Sequence, residues 1–172
     1  MPDWYQFNKM EADSKNVKAL ARQNQEETIV FFNKLKRKKP KQLDDITHRL
    51  HDQVSEKINC LLCANCCKTI SPIVTPKDIE RIAHKQKMKE VDFIAKYLHM
   101  DEDNFYVFNE TPCPFLGSDN YCMIYEYRPK ACREYPHTDR RRFYQLLDLT
   151  MHNRELCPIV YEVVEQLKKK DL

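Results

Sequence analysis

Cys60, Cys63, Cys66 and Cys67 put four thiols into eight consecutive residues, CLLCANCC. Thiolates are soft donors, and a C-x-x-C step leaves two sulfurs close enough to close on one ion, which is the spacing of zinc and iron–sulfur sites. Two such steps overlap here, at Cys60, Cys63 and Cys66, and Cys67 follows directly. The other four cysteines, Cys113, Cys122, Cys132 and Cys157, come singly from later segments. Folding would have to draw these turns onto a centre, so the free energy of metal binding would count as free energy of folding. Vicinal thiols have little freedom to share one mononuclear tetrahedral ion. Cys66 and Cys67 are therefore expected to serve different centres, or one of them to stand behind the donors, and eight thiols divide into two sets of four. Cys157 also sits where a helix N-cap would, a position that favours the thiolate.

Two blander readings compete. An even number of cysteines suits a disulfide framework, but the N-terminus MPDWYQFNKMEADSKN shows no apolar run of an export signal. A chain of 172 residues needs no staples, and adjacent cysteines are badly placed to pair. Inert core cysteines, the second reading, do not usually crowd four into eight positions.

Arg128, Arg133 and the run Arg140 to Arg142 flank the thiols in sequence and could neutralise a thiolate-rich site; an acidic substrate is their other reading. From a net charge of +3, ionising eight thiols and adding two dipositive centres leaves about −1, whether the centres are two zinc ions or one zinc and one 4Fe–4S cluster. Charge does not choose the metal. His137 is a candidate ligand or proton donor beside Tyr135 and Pro136, while the remaining histidines lie at helical positions. A single glycine, Gly117, argues against nucleotide-binding loops. No Ser-His-Asp order, paired-carboxylate site or HExxH helix supports a hydrolase. No stretch approaches the roughly 18 apolar residues that span a bilayer, so the chain is expected to be soluble and cytoplasmic.

The elements that must position the thiols follow from periodicity. A helix is expected from Asp13 to Lys39, ending in KLKRKKPK. Lys34, Lys36, Arg37, Lys38, Lys39 and Lys41 read there as cations offsetting a helix dipole before Pro40, in preference to a nucleic-acid contact. A second helix with Leu43, Ile46, Leu50, Val54 and Ile58 inward delivers the chain to Cys60. TPKD predicts an N-terminus with Thr75 as cap, Pro76 first and Asp78 third. A short helix from Val91 to Leu98 precedes two strand-like segments, FYVF at 105–108 and YCMIY at 121–125, with LGSDN as a turn, which suggests a small hairpin. Residues 126–139 read as an ordered loop, Phe143 to His152 as a helix, and a last helix starts at Pro158 with Val160, Val163, Val164 and Leu167 inward.

CLLCANCC, TPCPFL, YCMIYEYRPKACREYP and ELCP together resemble the YkgJ-type cysteine-cluster family, whose members are described as zinc- or iron-chelating domains. The resemblance runs from about Cys60 to Cys157. It implies a cluster at Cys60, Cys63, Cys66, Cys67, Cys113, Cys122 and Cys132, accompanied by Arg128, Pro129, Arg133, Tyr135 and Pro136. The family often has glycine after the second cysteine, where this chain has Ala64. Related cysteine patterns occur in flagellin lysine N-methylases.

The expected fold is mainly α with a small β-hairpin, an α+β class. Residues 1–40 would form a helical arm and residues 41–172 a compact Cys-rich domain around one or two centres of zinc or iron, a 4Fe–4S cluster included. The expected function is a metal-binding structural or interaction module. An iron–sulfur redox or electron-transfer protein and an accessory to a protein-methylation enzyme are the alternatives. A protein partner fits this reading and a membrane does not; a nucleic-acid contact is the less favoured reading of the basic run.

Overall fold

The computed structural model describes residues 16–172. Asp13 to Lys15 of the first expected helix lie outside them, and its remainder forms two helices, α1 Val17–Gln23 and α2 Gln25–Lys38. The break is at Asn24, with φ −102° and ψ 20°, whose Nδ2 donates to Tyr161 Oη at 3.3 Å. A tertiary contact thus overrides a helical pattern that runs unbroken in sequence. At the far end Lys39 turns left-handed at φ 44° and Pro40 prevents continuation. Helix α3, Leu43–Ser55, buries Leu43, Thr47, Leu50 and Val54. Thr47 takes an inward place that periodicity did not assign it, with its hydroxyl donating to Leu43 O at 2.8 Å.

Two single-turn helices follow, α4 Cys60–Cys63 and α5 Asn65–Thr69. Helix α6, Pro76–Lys85, opens with the expected cap: Asp78 N donates to Thr75 Oγ1 at 3.3 Å and Thr75 N donates to Asp78 Oδ2 at 3.1 Å. After α7, Glu90–Tyr97, strands β1 Leu98–Met100 and β2 Tyr106–Phe108 pair antiparallel with Leu98 opposite Phe108. The hairpin therefore exists with a different partner. Asp101 Oδ1 accepts the N–H groups of Asp103 and Phe105 at 3.0 and 2.8 Å, folding the chain back so that 98–100 meets 106–108 before YCMIY is reached. Residues 121–125 contribute one isolated bridge, Leu116 to Cys122, and lead into a 3-10 turn at Tyr125–Tyr127. Residues 126–139 are more regular than expected, since they contain α8, Lys130–Glu134. A 3-10 turn at Phe143–Gln145, α9 Leu147–Asn153 and α10 Pro158–Lys168 complete the chain.

The described residues divide into two units. In the first, residues 16–60 and 136–172, the buried faces of α3 and α10 pack together, and Val17 and Ala21 of α1 cluster with Tyr161. The inward set on α10 includes Val160, Val163, Val164 and Leu167, as its spacing required. In the second, residues 61–135, the core gathers Val74, Ile79, Ile82, Phe93, Phe108 and Phe115. Phe115 lies 5.6 Å from Phe108 and 5.0 Å from Tyr97, centroid to centroid, contacts worth about 0.5–1.5 kcal/mol each beyond their burial. Cys113 and Cys122 pack against this core. No described helix is long and apolar enough to cross a membrane.

The turn between those two cysteines has little room. Gly117 N donates to Tyr121 O at 2.7 Å and Asp119 Oδ1 accepts the Tyr121 N–H at 2.9 Å. A Cβ on Gly117 would stand 2.6 Å from Asp119 Oδ1 and 3.2 Å from Tyr121 O. Gly117→Ala is expected to cost about 1–3 kcal/mol, read as a lower urea midpoint. A midpoint equal to the parent's would show that the turn opens without penalty.

Candidate metal centre

Helices α4 and α5 meet at Ala64, which adopts φ 46° and ψ 21° and is 5% exposed. Glycine is the default residue in this left-handed region, and an alanine there costs about 1–2 kcal/mol. The tight turn forms all the same. It sets Cys66 and Cys67 on α5, where their Sγ atoms lie 4.0 Å apart. The edge of a tetrahedral zinc–thiolate site, with bonds near 2.3 Å, is about 3.8 Å, so distance alone does not keep the vicinal thiols apart.

Cys113 reaches the same place through its backbone, its N–H donating to Cys67 O at 2.8 Å. Cys122 follows on the far side of the Gly117 turn, through the bridge to Leu116. Cys132 is carried by α8. These four thiols lie within one another's electrostatic reach. Burial pushes Cys132 up to about 12, with further repulsion from Cys113, Cys67 and Cys122 and partial relief from Arg128. Burial likewise pushes Cys113 up to about 11, against a hydrogen bond from the Phe115 N–H and with repulsion from Cys67 and Cys122. Cys122 is raised by burial and by Cys67, and held back by the Ile124 N–H and Arg128. Cys67 moves the other way, to about 7, because the Cys66 thiol can donate to its thiolate; Lys68 assists and burial opposes.

A carboxylate taken up by hydrogen bonds organises the last donor. Asp78, 1% exposed, accepts at Oδ2 from Thr75 Oγ1 at 2.6 Å and at Oδ1 from Arg81 at 2.6 Å. Oδ1 also accepts the Lys130 N–H at 3.1 Å, an otherwise orphaned donor in the first turn of the helix bearing Cys132. Arg81 donates onward to Tyr127 O and Arg128 O at 3.3 and 3.0 Å, and Arg133 donates to Arg128 O at 2.9 Å. The Arg-Pro segment before Cys132 is thereby sewn to α6. Burial raises the Asp78 carboxyl, but the Thr75 and Arg81 side chains and the backbone N–H groups of Thr75 and Lys130 outweigh it and hold the group below the usual carboxylate range. The capping pattern revealed Asp78 as a helix start. Its second role, across 52 residues, has no local signal.

The other expected residues fall in several places. Cys63 is half-buried, and its carbonyl accepts from Lys68 Nζ at 3.3 Å. Cys60 is exposed and ends the first stretch of the first unit. Cys157 belongs to that unit too, as the buried N-cap residue of α10, without a side-chain capping bond. Arg128 lowers the Cys122 and Cys132 thiols electrostatically, and its guanidinium lies 3.8 Å from the Tyr125 ring centroid. Arg140 to Arg142 and His137 belong to the first unit.

The donor chemistry suits a soft cation: Cys67, Cys113, Cys122 and Cys132 of the second unit lie within electrostatic reach of one another and of Arg128, and Cys113 and Cys122 pack against the apolar core. Among the described residues, no three His, Cys, Asp or Glu side chains meet in the arrangement of a formed metal site. A family model described as "Putative zinc- or iron-chelating domain" matches residues 59–158. The chain belongs to the CxxCxxCC family. The CxxCxxCC region thus takes in all eight cysteines, together with Asp78, Arg81 and Arg128. No curated protein and no solved structure matches the chain.

Proposed function

We propose that Cys67, Cys113, Cys122 and Cys132 bind one zinc or iron centre, and that the protein is a metal-stabilised structural or interaction module. What supports this reading is that four half-buried thiols from separate segments lie within electrostatic reach of one another and of Arg128, with Cys113 N–H bonded to Cys67 O at 2.8 Å. Bare thiolates there repel one another. A dication supplies the charge that lets all four ionise, and the low dielectric that disfavours them singly strengthens their hold on it. Cys67 starts nearest to ionisation, while Cys113, Cys122 and Cys132 hold their protons and must release them. Asp78 and Arg81 hold the Cys132 helix in place.

Cys60, Cys63, Cys66 and Cys157 are proposed as further donors on the sequence pattern, and the metal-binding region is placed within residues 41–172. None of the eight is in a disulfide, and the reading goes with a reducing, cytoplasmic location. Cys157→Ser tests the second set. With two four-thiolate centres, metal per folded chain falls by one equivalent; an unchanged ratio removes Cys157 from the donors. Anaerobic purification separates the metals. Zinc leaves the protein colourless, whereas a brown protein with acid-labile sulfide supports the iron–sulfur alternative and an electron-transfer role.

A further inference from the structure

Two cationic runs far apart in sequence adjoin in the first unit. Helix α2 ends in Lys36, Arg37 and Lys38, followed by the left-handed Lys39 and, past Pro40, Lys41. The second run, Arg140 to Arg142, is pinned at the start of α3. Asp44 Oδ2 accepts the Arg142 N–H at 2.7 Å and Oδ1 accepts the Phe143 N–H at 2.9 Å, while His48 Nε2 lies 3.1 Å from Arg140 O. The 3-10 turn Phe143–Gln145 then touches both α2 and α3, and Lys39 Nζ stands 5.2 Å from the Tyr144 ring centroid.

Arg37 to Lys39, Lys41 and Arg140 to Arg142 are all exposed. Nearby acids offset them only in part: Asp148 pairs with Lys36 at 2.6 Å, and Asp44, Asp45 and Asp139 stand against the seven cations. A helix dipole accounts for the lysines at the end of α2. It does not account for three successive arginines on a neighbouring loop, the last held at φ 57°. Taken singly, each run reads as a solvated surface; folding makes them one.

We propose that this surface binds the phosphodiester backbone of nucleic acid without sequence preference. Guanidinium forks match phosphate oxygens in pairs, and the half-exposed Tyr144 ring beside them offers a face on which a base can stack. Neither run contains an exposed large apolar side chain to insert into a bilayer. The inference is independent of the thiol site.

The test is fluorescence anisotropy of a labelled mixed-sequence oligonucleotide of about 20 units, single-stranded and duplex, titrated with the full chain. The expected log K falls linearly with log salt, with a slope of about −4 to −6 for the duplex. Lys38→Gln with Lys39→Gln, and separately Arg141→Gln with Arg142→Gln, should each flatten that slope by about 2 and weaken binding about 10- to 100-fold. The glutamines leave the backbone contacts to Asp44 intact, so circular dichroism should match the parent. Loss confined to one pair would overturn the joint surface. Absence of salt-dependent binding, or tighter binding to vesicles containing phosphatidylserine than to either oligonucleotide, would overturn the assignment to nucleic acid.

Discussion

Asp78→Ala is expected to destabilise the 61–135 unit by about 3 kcal/mol. The substitution removes a charge-assisted bond to Arg81, half of the capping box on α6, and the acceptor for the Lys130 N–H. The partners left behind are partly exposed and can take up water, which keeps the cost below that of a fully buried pair. Asp78→Asn should lose less, because the amide keeps one acceptor while its NH2 faces donors. The pH dependence has a definite sign. A carboxyl whose folded pKa is depressed contributes stability that is fully present above its unfolded value, near 4, and lost as pH falls through the folded value. The stability gap between parent and Asp78→Asn, from urea curves at successive pH values, should therefore narrow below about pH 4. A gap constant down to pH 2 would mean that the carboxylate is not held by its partners.

The second large effect concerns protons and metal together. Cys113 and Cys132, pushed up to about 11 and 12, and Cys122, raised in the same direction, are neutral thiols at pH 7, whereas Cys67, at about 7, is near half-ionised. Binding as a four-thiolate centre must then release about three to four protons, and apparent affinity should rise about three to four decades per pH unit between pH 6 and 8. Acid releases the metal; alkali tightens it. Cys132→Ser should remove about one proton from that count and weaken binding more than about 100-fold, beyond the usual effect of residues that merely support a ligand. Competition against a chelator of known affinity, at several pH values, reads both quantities. Release of one proton or none, with Cys132→Ser binding like the parent, would place the metal elsewhere.

What sequence made legible here was mostly local. The Thr75-Pro76-Asp78 cap, the stop at Lys39 and Pro40, and the inward face of α10 each depend on neighbours within one or two turns, and each appears where its pattern put it. The features that needed tertiary structure were not legible. Asn24 interrupts a continuous helical pattern through Tyr161, and β2 pairs with Leu98–Met100 because an Asp101 turn intervenes before YCMIY. The cysteines announced their chemistry by type and spacing, but the grouping of Cys67 with Cys113, Cys122 and Cys132 depends on the Gly117 turn and on Asp78 beneath α8. The cationic runs illustrate the same limit: contacts from Asp44 and His48 and the packing of the Phe143–Gln145 turn on α2 and α3 bring them together.

X-ray absorption at the metal edge of the purified protein tests the central claim most directly, because it counts the atoms around the metal. The account predicts a first shell of sulfur, four per ion at about 2.3 Å if the metal is zinc, falling to three sulfurs and one lighter atom at the affected ion in Cys132→Ser. A parent shell dominated by nitrogen or oxygen, or a sulfur count that Cys132→Ser leaves unchanged, would contradict it.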